Sequence, residues 1–385
     1  MTTPVEEVVA VLRTHAADVD RQSRFPAEGL ETLRQHGFLG LLVPTEYGGM
    51  GAGLAELVAL AREFAGACLS TAMVWAMHCQ QTDLVVRHAG AGLRERLLPR
   101  IAAGEVYLAS VTTESGKGGY LLSANDSLTA TGADIAIDRQ APVVTGATHA
   151  DGFLITMRDR PEAREHEVTL VYADRADLSV EETAPWQMMG MRGTHSVGVR
   201  ITGKVSPECV VGRPGKFREA ANDSMVPVGH LAWSACWLGA AHAAFAQLVR
   251  RIAANANKPG GTDVTSPLVQ ERVARIRLDL ELVSAYLGKV CAEVVEIRAR
   301  GGRIDIPAVQ IHLNTLKLAA SELTFRAADR MVQLAGLATG YGTASPIPLE
   351  RTFRDLRSAA LNYSNDRLWT TNGTLCWADR SVRLL

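Results

Sequence analysis

The sequence lacks several features that would assign it to a specialised class of protein. Its 385 residues carry a formal net charge of −1, which gives no electrostatic basis for binding nucleic acid or an anionic membrane. No uninterrupted apolar run reaches the roughly 18 residues of a membrane-spanning helix. The six cysteines include no CxxC pair, which argues against a disulfide framework or a zinc cluster and is typical of a reducing compartment. The stretch Met1–Asp18 predicts an amphipathic helix rather than a signal peptide. We therefore expect a cytoplasmic protein without a nucleic-acid or membrane partner.

Hydrophobic periodicity divides the chain into three parts. Apolar residues repeat at helix spacing in residues 1–104 and 216–385, whereas residues 105–215 contain short β-branched runs separated by turn residues. A chain of this length usually builds more than one packed unit. We expect an α+β protein with an N-terminal α-helical domain at 1–104, a β-barrel-like middle domain at 105–215 and a C-terminal four-helix bundle at 216–385.

Two strand-to-loop transitions in the middle part carry hydroxyl groups. The first is Leu108–Gly119, in which Thr112 and Thr113 precede a glycine-rich loop, and the second is Pro142–Ala147, which contains Thr145. Hydroxyls and free backbone N–H groups at two strand ends suit a flat heteroaromatic ring with carbonyls along one edge. Ordinary β-turns have the same composition, so the residues alone leave both interpretations open.

The order of motifs resembles the acyl-CoA dehydrogenase superfamily over nearly the whole chain. Phe38–Gly53 is similar to the family's N-terminal signature, and Val111–Gly119 and Val143–Asp151 are similar to its two flavin-binding strands. Three further blocks follow in the family's order: Met189–Ser196, Arg330–Gly342 and Glu350–Ser358. The resemblance implies the acyl-CoA dehydrogenase fold, an FAD-containing oxidoreductase and, by analogy, a homodimer or homotetramer.

The resemblance also implies which residues contact the isoalloxazine ring. Thr113 would meet the pyrimidine edge of the ring, with Thr112 beside it, and Thr145 would form a hydrogen bond near N5. A hydroxyl suits N5 because it can donate or accept. Val143 occupies the position where the family usually has a tryptophan against the ring.

The part of the family pattern that holds the ADP half of FAD is weak in this chain. The stretch Ala254–Asp263 lacks the Arg and Phe of the corresponding family block, and Gly119-Tyr120 replaces a Ser-Asp pair that contacts the pyrophosphate. Gln333 and Gly336 are the possible dinucleotide contacts that the resemblance leaves. We therefore expect either FAD or a reduced flavin, FAD or FMN, supplied by a separate reductase.

The catalytic glutamate of the family is absent from both of its usual positions. Family dehydrogenases use this carboxylate to remove the weakly acidic α-proton of an acyl thioester. The two positions align with Ser364 and Gly229. Three explanations are open: Asp366 or His230 serves as a displaced base, the alignment is shifted by a residue or two, or the reaction needs no α-proton removal. Ser364 would contact the substrate by hydrogen bonding.

Four further residues are candidates for the substrate pocket, namely His78, Tyr120, Trp233 and Asn365. A hydrogen-bonded core histidine is the alternative interpretation of His78, and core packing is the alternative for Trp233. A dry, apolar pocket of this kind would suit the superfamily's two-component flavin monooxygenases, which add O₂ to reduced flavin and transfer one oxygen atom.

These observations favour a reduced-flavin-dependent monooxygenase that acts on a small organic substrate. One alternative is an α,β-dehydrogenase of an acyl-CoA or acyl-carrier-protein thioester with a non-standard base and an electron-transfer partner. The other is a non-catalytic binding protein that has kept the fold.

Overall fold

The computed structural model describes residues 3–116, 120–258 and 261–383. The first part of the chain is helical, with helices α1 (Pro4–Gln22), α2 (Ala27–Gln35), α3 (Leu54–Ala67), α4 (Leu69–His88) and α5 (Ala91–Ala102). Helix α4 is buried on almost every side because its sequence is apolar all round. Its Trp75 donates a hydrogen bond from Nε1 to the carbonyl oxygen of Phe38 at 2.8 Å. These contacts make α4 the internal support of the N-terminal part.

In the described part of the chain, the middle region forms two four-stranded sheets. The strands are β1 (Leu108–Val111), β2 (Thr129–Thr131), β3 (Asp134–Ala141), β4 (Gly152–Arg158), β5 (Val168–Asp174), β6 (Leu178–Ala184), β7 (Gly198–Val205) and β8 (Val210–Val211). Their orders are β1-β4-β5-β8 and β2-β3-β7-β6. Strand β1 pairs in parallel with β4, which sets Val111 beside Ile155. The loops that follow β1 and β3 therefore contain the two hydroxyl-bearing segments.

The last part of the chain is again helical. It comprises α6 (Phe217–Ala220), a π-helical turn at Ala221–Met225, α7 (Val226–Asn255), α8 (Pro267–Ala299), α9 (Pro307–Gly336), α10 (Leu349–Arg357) and α11 (Asn365–Leu375). Helix α7 packs against α3, α4, α8 and α9. It is apolar on nearly every face over its first half, which explains why it lies at the centre.

The predicted α+β class is confirmed, with helices before and after a central region of sheets. Buried apolar residues from all three parts form one continuous core. No helix in the stretches that the structure describes is both long and apolar enough to cross a bilayer. The cleft between the middle sheets and α4, α7 and the segment after α10 contains the candidate site.

Candidate functional site

Two adjoining cavities lie in this cleft. The small cavity has a volume of about 160 Å³ and the large cavity has a volume of about 420 Å³. The residues common to both linings are Met77, Thr113, Val143, Thr145 and Asn362. Thr113, Val143 and Thr145 come from the two segments that the sequence singled out, so the structure brings these segments together at the boundary between the cavities. Thr112 lines the small cavity only.

The two hydroxyl groups at the boundary are hydrogen-bonded within the protein. The Thr113 hydroxyl donates to the carbonyl oxygen of Val143 at 2.7 Å and accepts from the Val143 N–H at 3.3 Å. These bonds tie the end of β1 to the loop after β3. The Thr145 hydroxyl lies 2.9 Å from that of Ser196, which in turn lies 2.8 Å from that of Thr194. Both hydroxyls are therefore fixed in position by the protein alone.

A buried ion pair holds the backbone of Thr113 in place. Arg139, which is fully buried, donates to the carboxylate of Glu114 and to the carbonyl oxygen of Thr113 at 3.1 Å. The Glu114 carboxylate also accepts from the backbone N–H groups of Asn125 and Asp126 at 2.8 to 3.0 Å. The pair thus holds both the end of β1 and the far end of the glycine-rich loop. Gly119 lies outside the described residues.

The wall of the small cavity is uncharged. His230 and Trp233 of α7 contribute to it, together with Gln80 of α4 and Tyr363. Burial, together with the nearby charge of Lys317, lowers the pKa of His230 to about 3, so its imidazole is neutral at physiological pH. Among the described residues that line either cavity, none is Asp or Glu.

His230 and Trp233 also have unsatisfied polar atoms. Neither Nδ1 of His230 nor Nε1 of Trp233 has a hydrogen-bond partner, although both atoms are buried. Buried polar atoms of this kind are uncommon in folded proteins and call for an explanation such as a bound ligand. Both residues thus stay candidates for substrate contact.

Ser364, which was predicted to contact the substrate, lies next to the residues that line the cavities, and its role stays a prediction. Tyr363 adopts a left-handed conformation, with φ of 54°. In the turn around it, Asn362 and Tyr363 contribute to the cavity wall, while Ser364 lines neither cavity and instead precedes α11. The turn that the family resemblance singles out therefore contributes Asn362 and Tyr363 to the cavity wall.

Asp366 and Tyr120 lie together in a surface depression that shares Leu121 and Tyr363 with the small cavity. Asp366 is exposed on the first turn of α11, and Tyr120 lies under the guanidinium of Arg367 at 5.4 Å. Neither residue lines the two cavities. Asp366 as a base and Tyr120 as a pocket residue therefore stay predictions.

The structure also corrects the assignment of His78 to the substrate pocket. Its Nδ1 accepts a hydrogen bond from the N–H of Leu108 at 3.0 Å. Its Nε2 must then carry the proton, and it donates to the carbonyl oxygen of Leu39 at 2.9 Å. With both ring nitrogens occupied and burial lowering its pKa to about 4, His78 is a neutral core histidine that ties α4 to β1.

Asn365 is likewise a structural residue rather than a pocket residue. It is buried in the bundle, where its Oδ1 accepts from Nζ of Lys317 at 2.7 Å. Lys317 also donates to the carbonyl oxygens of Ala359 and Tyr363 at 3.0 and 2.9 Å. Burial lowers the pKa of this lysine to about 7. Lys317 therefore fastens the segment that presents Asn362 and Tyr363 to the cavities.

Gln333 and Gly336, the predicted dinucleotide contacts, are exposed near the end of α9 and line neither cavity. Nε2 of Gln333 donates to Asp329 at 2.7 Å. Their contact with the dinucleotide stays a prediction.

Several residues of the site were not identified from the sequence. Gln80, Asn362, Tyr363, Thr194 and Ser196 line one or both cavities. Ser196 and Thr194 lie in the Met189–Ser196 block. The resemblance of this block to the family was the signal in the sequence that could have identified them. The described lining of the large cavity is rich in methionine and includes Met73, Met77, Met188, Met189 and Met191.

Comparison with known proteins agrees with this architecture. Residues 4–105 match the family model "Acyl-CoA dehydrogenase, N-terminal domain", and residues 231–366 match "Acyl-CoA dehydrogenase, C-terminal domain". The chain is 23% identical to the mitochondrial isobutyryl-CoA dehydrogenase of Dictyostelium discoideum over 354 residues, which cover 90% of this chain and 80% of that protein.

Solved structures share the fold at low sequence identity. FMN-bound TdsC of Paenibacillus sp. A11-2, a dibenzothiophene monooxygenase, superposes with a TM-score of 0.87 at 18% identity, covering 99% of this chain and 98% of TdsC. The prolyl acyl carrier protein oxidase AnaB gives a TM-score of 0.83 at 18% identity, covering 96% and 97% of the two chains. Since both terminal parts match the family models and the whole fold matches these structures, the protein belongs to the acyl-CoA dehydrogenase family.

Proposed function

We propose that the protein is a flavin-dependent monooxygenase that uses reduced flavin and O₂ to oxygenate a small organic substrate. The flavin ring would lie where the two cavities meet, with Thr113 at its pyrimidine edge and Thr145 at N5. The bond from Thr113 to Val143 holds the two strand ends together, and the bond to Ser196 holds the Thr145 hydroxyl in place. Together with the mostly apolar wall of the large cavity, these features suit a flat ring. FMN-bound TdsC has the same fold, which supports this choice of cofactor.

The observation that carries the proposal is the lack of a carboxylate. No Asp or Glu occurs among the described residues that line either cavity. An acyl-thioester dehydrogenase needs a base near the substrate α-carbon. His230 is the titratable imidazole in the small cavity, and burial together with the charge of Lys317 lowers its pKa to about 3, which makes it a weaker base than an exposed imidazole. A cavity lined in this way is better suited to a reaction that does not remove an α-proton than to the dehydrogenation of an acyl thioester.

The overall reaction balances without a base of that kind. Reduced flavin supplies two electrons and two protons, one oxygen atom of O₂ enters the substrate, and the other leaves as water. The protein's own residues bind and orient the reactants and exclude bulk water. Trp233, Met225 and Leu121 give the small cavity an apolar wall, and Thr145 presents a hydroxyl at the boundary.

Several finer points belong to this proposal. The flavin, FAD or FMN, would come from a separate flavin reductase, because the predicted contacts to an ADP group are few. We also propose a homodimer or homotetramer in the cytoplasm, with domain boundaries near residues 104 and 215. Gln333 and Gly336 would contact the cofactor only if a second subunit brings it to them.

An alternative function is the dehydrogenation of an acyl group carried by CoA or a carrier protein. The similarity to isobutyryl-CoA dehydrogenase over most of the chain favours it, as does the fold of the carrier-protein oxidase AnaB. This function would require a base from outside the described lining of the cavities, together with an electron-transfer partner.

One experiment separates the two functions. The purified protein is mixed with FMN or FAD, a flavin reductase, NADH, isotopically labelled O₂ and indole, a ligand bound by TdsC. We expect labelled oxygen in the product and slower reoxidation of reduced flavin than with the reductase alone. Bleaching of bound flavin by butyryl-CoA without O₂, with no effect on reoxidation of reduced flavin, would overturn the proposal in favour of dehydrogenation.

A further inference from the structure

A buried charge cluster lies next to the small cavity, formed by Asp83, Ser224 and Arg298. Arg298 of α8 donates from its two terminal nitrogens to the carboxylate of Asp83 on α4, at 3.0 and 2.9 Å. Asp83 is 7% exposed, and its carboxylate also accepts a hydrogen bond from the hydroxyl of the fully buried Ser224. None of the three is among the described residues that line either cavity. We therefore expect the cluster to act on a bound ligand only through its neighbours.

The cluster holds the π-helical turn Ala221–Met225, which leads into α7. Ser224 belongs to this turn, and Nη2 of Arg298 donates to the carbonyl oxygen of Asp223 at 2.8 Å. Arg87 of α4 holds the Asp223 carboxylate at 2.7 and 3.1 Å. A single π-helical turn is rare and often marks a functional site. In this protein side chains from two other helices hold the turn in that geometry.

The turn ends in the wall of the small cavity, to which Met225 and Val226 contribute. The carbonyl oxygen of Met225 accepts from Nε2 of Gln80 at 2.6 Å, and Gln80 lines the same cavity. Gln80, Asp83 and Arg87 are spaced by three and four residues on α4, so they lie along one face of that helix. The face of α4 that borders the cavity therefore continues as the face that holds the turn.

The position of Met225 limits the space in the small cavity. The cavity has a volume of about 160 Å³, and an apolar cavity of about 150 Å³ holds benzene. Met225 is 3% exposed, so it is packed on almost every side and cannot move outward unless the turn moves with it. A compound of one or two fused rings matches this volume, whereas a third ring would displace the wall.

We propose that Asp83 and Arg298 are positioning residues that restrict the small cavity to compounds of one or two fused rings. They do so by holding the π-helical turn so that Met225 stays in the cavity wall. The inference rests on the proposed function in one respect, since it takes the small cavity to be the substrate site. Removal of the two charges would free the turn from its bonds at Ser224 and at the Asp223 carbonyl. Met225 could then move outward, and the cavity would admit a larger ring system.

The test measures the dissociation constants of FMN, indole and carbazole by titration of the purified full-length protein. Carbazole adds one fused ring to indole and keeps its N–H group, so the two probes differ in size alone. We expect the wild type to bind indole at least about tenfold more tightly than carbazole, because an overfilled site displaces packed side chains.

Asp83→Leu/Arg298→Met removes both charges together, so that no buried charge is left without its partner. In this double variant carbazole should bind about tenfold more tightly than in the wild type, because the wall can yield. The affinity for FMN should change by less than about twofold, because Met225 lies outside the described lining of the large cavity. A merely structural role would weaken all three ligands alike.

Three further variants separate the position of the wall from general structural damage. Arg298→Lys keeps the cation but not the two-pronged contact with Asp83, so it should give an intermediate preference. Met225→Ala shortens the wall itself and should admit carbazole while the cluster is intact. Glu293→Leu/His312→Leu is the matched control. It removes another buried pair of α8, joined at 2.9 and 3.0 Å and outside both described linings, and should leave the preference unchanged.

The outcomes distinguish this inference from the proposed function. Equal affinity of the wild type for indole and carbazole, or binding of neither, would overturn the size limit. An unchanged preference in the double variant would overturn the role of the cluster, and if that variant does not fold, an unchanged preference in Arg298→Lys would do so. Failure of the wild type to bind FMN would overturn the proposed function, whereas a preference for indole that depends on the cluster would still uphold the inference.

Discussion

Gly229 lies against the side-chain amide of Gln80, so a side chain at position 229 would require that amide to move. A Cβ atom built on Gly229 would lie 2.4 Å from Nε2 of Gln80. That amide is buried and donates to the carbonyl oxygen of Met225 at 2.6 Å, in the turn that leads into α7. By resemblance, position 229 is one of the two places where the family carries its catalytic glutamate. In this protein the side-chain amide of Gln80 occupies the space beside position 229. The packing of the site is therefore consistent with a glycine, rather than an acidic residue, at this position.

Gly229→Ala should therefore destabilise the protein. The added methyl group forces the Gln80 amide away from Met225, and the lost hydrogen bond and local overpacking should lower the free energy of unfolding by about 1–3 kcal/mol. Gly288→Ala in α8 is the control, because a Cβ there meets nothing within 4 Å, and it should raise stability by roughly 0.5–1 kcal/mol. Urea denaturation measures both. Similar effects of the two variants would contradict the role of Gln80.

Asp366→Asn should leave turnover nearly unchanged. Asp366 is exposed on α11 and does not line either cavity, so we expect it not to contact a substrate bound there. We expect steady-state rates within about twofold of the wild type. A loss of several powers of ten would identify Asp366 as the base and restore the dehydrogenase function. Asn362→Ala is the comparison, because Asn362 lines both cavities, and it should lower the rate or raise KM.

Arg139→Leu should be strongly destabilising. Arg139 is fully buried and its partner Glu114 nearly so, and removal of one member of such a pair leaves an uncompensated charge, which costs about 3–5 kcal/mol. Arg200→Leu is the matched control on a neighbouring strand, because its ion pair with Asp138 is exposed and should contribute less than about 1 kcal/mol. Thermal denaturation compares them. If the difference between the variants is small, the pair does not support Thr113 as described.

The stability contribution of Lys317 should depend on pH. Its pKa is lowered by burial from 10.5 to about 7 in the folded protein, so between these values the unfolded chain binds more protons than the folded chain. Stability from this group therefore rises as the pH rises from 7 to 10.5. Relative to Lys317→Met, the wild type should gain free energy of unfolding across this range. Lys289→Met changes an exposed position of α8. The difference in free energy of unfolding between the wild type and this variant should stay constant across the same pH range. A constant difference for Lys317→Met as well would contradict the lowered pKa.

Local patterns predicted the elements of the fold well, because helix and strand periodicity is a property of contiguous residues. Strand β6 is an exception that periodicity did not reveal. It is an edge strand with exposed Glu181 and Glu182, so it lacks the alternation that marks a half-buried strand. Its pairing with β7 is a tertiary feature that no local pattern contains.

The site was predicted less completely, for a geometrical reason. Thr113, Val143 and Thr145 closely follow strands β1 and β3, and the end of a strand can be located from the sequence. These two strands belong to different sheets, so only the structure shows that their ends meet. The orientation of Ser364 relative to Tyr363 depends instead on one backbone angle, φ of 54° at Tyr363, and on the clamp from Lys317. Similarly, the two partners of His78 come from segments 39 and 30 residues away, so its structural role became visible only in three dimensions.

The methionine-rich lining of the large cavity makes the enzyme sensitive to oxidation. Met188 and Met189 are 47% and 52% exposed at its rim, and thioethers are readily converted to sulfoxides. If the protein carries out the proposed oxygenation, hydrogen peroxide released by unproductive turnover would have access to these exposed side chains. Their sulfoxides would make an apolar rim polar, so each abortive cycle carries a risk of self-inactivation that a methionine sulfoxide reductase could reverse.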